Sequence, residues 1–111
     1  MVQLPKRNRR LRIPSSLLPL IEDFLLSGWT VNRWYATDGP EHATGFAFDS
    51  TPRVIIRDVL GGAHLSTFPN VLDFVRLIAL RYPKCRFDVE DDHVHVFMSD
   101  ARINDNVRIL E

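Results

Sequence analysis

The chain has a single cysteine, Cys85. An intrachain disulfide is therefore impossible, and so is a zinc site built from four thiolates. A disulfide-free chain suits a reducing, cytoplasmic setting. Long apolar runs are missing too. The run that starts at Leu17 is interrupted by Glu22 and Asp23, well short of the ~20 residues a membrane-spanning helix requires. Pro14 and Pro19 break the N-terminal region, so neither a signal peptide nor an amphipathic transit peptide is expected there. Net charge is absent, with 14 basic residues against 14 acidic ones, and no global field steers the protein toward phosphate or an anionic membrane.

The catalytic signatures are lacking as well. Gly61-Gly62 has no Lys-Ser or Lys-Thr after it to complete a phosphate-cradling loop, and no serine flanked by glycines forms a nucleophile elbow. No cofactor is expected, and no reaction is nominated.

What is present is enough for a globular protein. The 111 residues are one domain's worth, and a hydrophobic content of 45% can furnish a core. No repeat, low-complexity block or linker divides residues 1–111. The balanced charge conceals a polarity. Lys6, Arg7, Arg9, Arg10 and Arg12 stand together without an acid, whereas Asp88, Glu90, Asp91, Asp92, Asp100, Asp105 and Glu111 outnumber Arg102 and Arg108 at the other end.

Two helices are predicted, over about residues 16–27 and 69–82. In the first, Ser16 can cap, Pro19 falls in the first turn, Leu17, Leu20, Ile21, Phe24 and Leu25 share one face, and Gly28 supplies the stop. In the second, Pro69 stands near the start and Pro83 beyond the end. Only Asn70, Asp73, Arg76 and Arg81 are strongly polar between them, so a helix buried on most sides and lying across a sheet is expected.

The remainder reads as strand and turn. "WTVNRWYAT" (29–37) is β-branched and aromatic, "DGPEHATG" is a loop, and "FAF" (46–48) returns as a strand. The segment 52–60 is ambiguous. Thr51 and Pro52 suit a helix start, but Val54, Ile55 and Ile56 favour a strand that turns at Gly61-Gly62 into "AHLSTF". The strand reading is preferred. The expected architecture is α+β, an antiparallel sheet of about five or six strands with the second helix packed across it.

The last hairpin is predicted residue by residue. If Asp91-Asp92 is a two-residue turn, Val89 faces Val94, Phe87 faces Val96 and Cys85 faces Met98 on one apolar side. The other side receives Glu90 with His93, Asp88 with His95, and Arg86 with Phe97. Cys85 then becomes a small buried hydrophobe rather than a nucleophile.

Three surfaces could carry function. Lys6, Arg7, Arg9, Arg10 and Arg12, within the basic segment 4–13, could grip nucleic acid with Arg33 and Trp34 in support; equally, "RLRI" alternates as an edge strand guarded by exposed charge. The Arg33–Trp34 pair could instead anchor a protein partner. His93 and His95 share a strand face and could bind metal with Asp88 or Glu90, although each carboxylate–imidazole pair also explains itself without one. No partner is apparent for His42 or His64. The leading expectation is a small non-catalytic protein–protein interaction module acting as a regulator, adaptor or inhibitor, of a kind carried by phages and bacteria by analogy alone. The alternatives are a nucleic-acid-binding regulator and a metal-dependent enzyme at the His93/His95 hairpin. Exposed edge strands would also allow a homodimer.

Overall fold

A computed structural model describes residues 17–32, 47–52 and 64–110. Helix α1 spans Leu18–Leu26, with Pro19 in its first turn and Leu20, Ile21 and Phe24 buried along one side. Its N-cap position is held by Leu17 and not by the expected Ser16, and Leu17 makes no side-chain cap bond. The helix stops because Gly28 takes a φ of +88°, a left-handed conformation that costs other residues a Cβ clash. The Ser27 and Gly28 amides then close onto the Phe24 and Leu25 carbonyls at 3.2 Å each.

Strand β1 (Trp29–Asn32) follows directly and pairs antiparallel with β2 (Ala47–Pro52), Trp29 opposite Pro52. The return strand thus runs on through Asp49, Ser50, Thr51 and Pro52, past the "FAF" expected from the sequence. Thr51 and Pro52 are strand residues and begin no helix; the ladder to β1 claims their backbone, and Pro52 sits at the strand end, where its missing N–H is tolerated. Residues 33–46 and 53–63, with the rest of the 52–60 question, lie outside the described residues.

"AHLSTF" is not a strand over its described part. Leu65–Thr67 forms a 3₁₀ turn. Its polar groups are satisfied locally: the Thr67 amide and hydroxyl both donate to the His64 carbonyl, at 3.0 and 2.7 Å. The Leu65 amide donates to the Asp91 carbonyl at 3.0 Å while its side chain is fully buried, pinning the turn to the hairpin tip. Pro69 then opens helix α2, Pro69–Arg81.

Strands β3 (Cys85–Val89) and β4 (Val94–Met98) form the hairpin in the expected register, from Cys85 opposite Met98 to Val89 opposite Val94. Strand β5 (Val107–Ile109) lies beside β3, and the sheet order is β1-β2-β4-β3-β5. The β5 pairing is parallel, which makes the sheet mixed where an antiparallel one was expected. The cause is geometric. Strand β4 ends beside the start of β3, so a chain that crosses under that point and turns back must run alongside β3 in the same direction. Asp105, with φ of 49°, makes the turn, and aspartate tolerates that region better than most residues. Asn106 locks it: its Nδ2 donates to the carbonyls of Ala79, Tyr82 and Cys85 at 3.1, 3.2 and 2.9 Å, tying β5 to the end of α2 and the start of β3.

One sheet face and the two helices enclose the core. Phe48, Val96, Phe87 and Val107 form a continuous row across four strands. Val71, Val75, Ile78 and Ala79 of α2 are buried in the same cluster as these strands. Phe24 meets the Trp29, Phe48 and Phe74 rings edge-on at 5.1, 5.9 and 5.6 Å, while Trp29 and Phe74 stack at 5.2 Å. Cys85 belongs to this core. Burial pushes its thiol up to about 11, so it stays protonated at neutral pH and is no nucleophile. No helix among the described residues is long and apolar enough to cross a membrane.

Candidate functional site

The opposite sheet face is polar, and strand alternation creates it. Residues facing away from the core align in a second row, Asp49–His95–Asp88–Arg108, across β2, β4, β3 and β5. Asp49 and Asp88 are both buried. Strand alternation puts Asp88 on the face away from the core, yet it is buried there. Its neighbours on two strands and their long side chains shield it.

The expected Asp88–His95 pair also exchanges partners. The two residues stand opposite each other, yet Asp88 accepts from Arg86 Nε at 3.0 Å and from Arg108 Nε and Nη2 at 2.7 and 3.0 Å. The two-nitrogen fork of Arg108, joined by Arg86 Nε, outcompetes an imidazole for one carboxylate because these bonds are charge-assisted and that of Arg108 is geometrically matched. Burial alone would raise the Asp88 carboxyl, but the hydrogen bonds and charges of Arg108 and Arg86 outweigh it and hold the group below the usual range. His95 Nδ1 turns to Asp49 Oδ1 at 3.1 Å instead. Arg86 also lies over the Phe97 ring, 5.3 Å from its centroid, as the hairpin register implies.

His93 lies 3.1 Å from Glu90, its expected cross-strand partner, through Nε2, and 2.7 Å from Asp92 through Nδ1. His64 has a partner the sequence did not reveal, Asp91 Oδ1 at 2.7 Å. Among the described residues no three histidine, cysteine or acidic side chains are arranged to hold a metal ion. Among the described residues, the ionic and imidazole contacts of this face link neighbouring strands.

The basic candidates Lys6, Arg7, Arg9, Arg10 and Arg12, together with Arg33 and Trp34, lie outside the described residues, as do Tyr35 and His42.

The composition of α2 predicts burial on most sides. In fact Val71, Val75, Ile78 and Ala79 face the core, and Leu77 and Leu80 remain 66% and 80% exposed. Asn70, Asp73, Leu77 and Leu80 follow a 3-4-3 spacing and form one exposed stripe. Plotting α2 at 100° per residue would have separated the two leucines from the core face; counting polar residues could not. At the N-terminal end of α2, Trp29, Pro52, Phe68, Pro69, Asn70, Val71 and Phe74 line an open hollow of about 280 Å³. It is mostly apolar and smaller than the ~300–1,000 Å³ usual for small-molecule sites. A tether connects the two helices at the opposite end: Tyr82 Oη donates to Asp23 Oδ2 at 2.8 Å, and Arg81 approaches the same oxygen at 3.7 Å. Burial, followed by Asp23's acceptance and negative charge, pushes the Tyr82 phenol up to about 12.

No protein-family model matches the chain, and neither curated proteins nor solved structures include a significant match to it.

Proposed function

We propose that this protein is a small, non-catalytic protein–protein interaction module that docks through the outer face of α2, in the manner of a regulator, adaptor or inhibitor. The exposure of Leu77 and Leu80, one turn apart on a well-anchored helix, is the observation that carries this reading. Large apolar side chains repeated on one exposed face are characteristic of contact surfaces. Fully burying a leucine contributes about 1.5–3 kcal/mol, so covering two that are 66% and 80% exposed would contribute roughly 2–4 kcal/mol to an interface. The polar face supports the same reading from the other side, since among the described residues its carboxylates pair with arginines and imidazoles on neighbouring strands.

The test is site-specific photo-crosslinking in cells with a photoreactive residue in place of Leu80. A protein adduct that disappears when Leu77→Glu is added is the expected result. Adducts formed only with nucleic acid, or none at all, would remove the reading.

A further inference from the structure

We propose that the tip of the β3–β4 hairpin is a proton-operated clasp, closed when His93 is an imidazolium and loosened when that ring is neutral. The tip carries three consecutive acids, Glu90, Asp91 and Asp92, and His93 follows them directly. Both nitrogens of the His93 ring lie against carboxylates: Nδ1 is 2.7 Å from Asp92 Oδ1 and Nε2 is 3.1 Å from Glu90 Oε2. Asp49 of β2 faces the same ring, its Oδ1 3.9 Å from Nε2, and that oxygen also lies 3.1 Å from His95 Nδ1. A neutral imidazole has one N–H and one lone pair, so it can donate to only one side; only the imidazolium donates from both nitrogens. A neutral ring turns its lone pair toward an anion, and one contact opens.

The effect reaches beyond the turn. Asp91 stands between the two acids that His93 holds. The Leu65 amide donates to its carbonyl at 3.0 Å, and His64 Nδ1 lies 2.7 Å from its Oδ1. These contacts join the hairpin tip to the 3₁₀ turn that precedes α2. Among the described residues, the ion-pair partners of Glu90, Asp91 and Asp92 are all imidazoles. With His93 and His64 charged, their rings offset the acids; with both neutral, like charges on consecutive residues repel. The clasp is therefore present when imidazole is charged and is lost as pH rises through the range in which imidazole gives up its proton, roughly pH 5–8. His64, Asp91 and Asp92 are largely exposed, so water screens the clasp and its strength is that of a surface ion-pair network.

Hydrogen exchange of the full chain, followed amide by amide, tests this. Protection at Leu65, taken relative to the intrinsic exchange rate at each pH, should be roughly two- to fivefold greater at about pH 5.5 than at about pH 7.5. The Ile103 amide, bonded to the Pro83 carbonyl at 2.8 Å beyond the start of β3, is the control and should not share the change. His93→Gln keeps a hydrogen-bonding side chain that cannot be charged, and should remove most of the difference by leaving Leu65 weakly protected at both pH values. Glu90→Gln/Asp92→Asn should remove most of it in the opposite sense, leaving Leu65 well protected at both, because little repulsion remains to be relieved. Unchanged protection at Ile103 verifies the fold of each variant. Equal wild-type protection of Leu65 at the two pH values overturns the proposal, as does a difference that survives His93→Gln or that Ile103 shares in full.

Discussion

Replacing Asp88 by asparagine tests the electrostatic fastening of the sheet. The substitution preserves shape and removes the charge that Arg86 and Arg108 share at 2.7–3.0 Å. Removing one partner from a buried ion pair typically costs about 3–5 kcal/mol, because the remaining charge stays buried and unmatched. Here the cost should be lower, about 2–3 kcal/mol, since the Arg108 side chain is half exposed and can turn to water while Arg86 keeps its place over Phe97. Urea unfolding at neutral pH measures the loss. The pH dependence gives an independent check. The Asp88 carboxyl is held low in the folded state, so its stabilisation is present above the ordinary aspartate value and is lost as pH falls through the lower folded value. The gap between wild type and Asp88→Asn should therefore be widest at neutral pH and narrow in acid. Strand β5 should loosen first, because the Leu110 amide just after it bonds to the Val89 carbonyl at 2.8 Å beside the lost pair, and faster hydrogen exchange at Leu110 would register this. A stability change below about 0.5 kcal/mol, or a gap constant with pH, would refute the argument, since ordinary surface substitutions fall within that range.

Asn106→Ala should destabilise the protein by about 2–3 kcal/mol, because three carbonyls lose a common donor at the end of α2; a urea midpoint shift with unchanged slope would show it. Gly28→Ala should cost about 1 kcal/mol by thermal unfolding even though nothing lies within 4 Å of the added Cβ, since the penalty comes from the positive φ alone. Cys85 should resist a thiol reagent at neutral pH until denaturant is added, being buried with its thiol pushed up to about 11; rapid labelling of the folded protein would contradict its core placement. Spectrophotometric titration should find Tyr82 ionising near 12, and Asp23→Asn should lower that value while leaving the part due to burial.

Legibility in the sequence followed the range of the interactions. The hairpin register was readable because a two-residue turn and strict alternation leave one arrangement that keeps Val89, Phe87 and Cys85 opposite apolar residues. Partner choice within that register was not. Asp88 could be placed opposite His95, but Arg108 reaches Asp88 from a strand that arrives twenty residues later, and Asp49 reaches His95 from a strand whose length the sequence understated. Alternation predicts neighbours within a pair of strands and says nothing of which third strand lies alongside. Likewise, the composition of α2 indicated how apolar the helix is, but not that the core would cover only one side of it.

By itself the sequence determined the two described helices, their stops at Gly28 and before Pro83, and the hairpin with its pairing, because each of these depends on residues adjacent in the chain. The tertiary structure alone decided the parallel course of β5, the exchange of ionic partners on the polar face and the exposure of Leu77 and Leu80. Those outcomes depend on which distant segments compete for the same space, and the winner of that competition is set by packing in three dimensions.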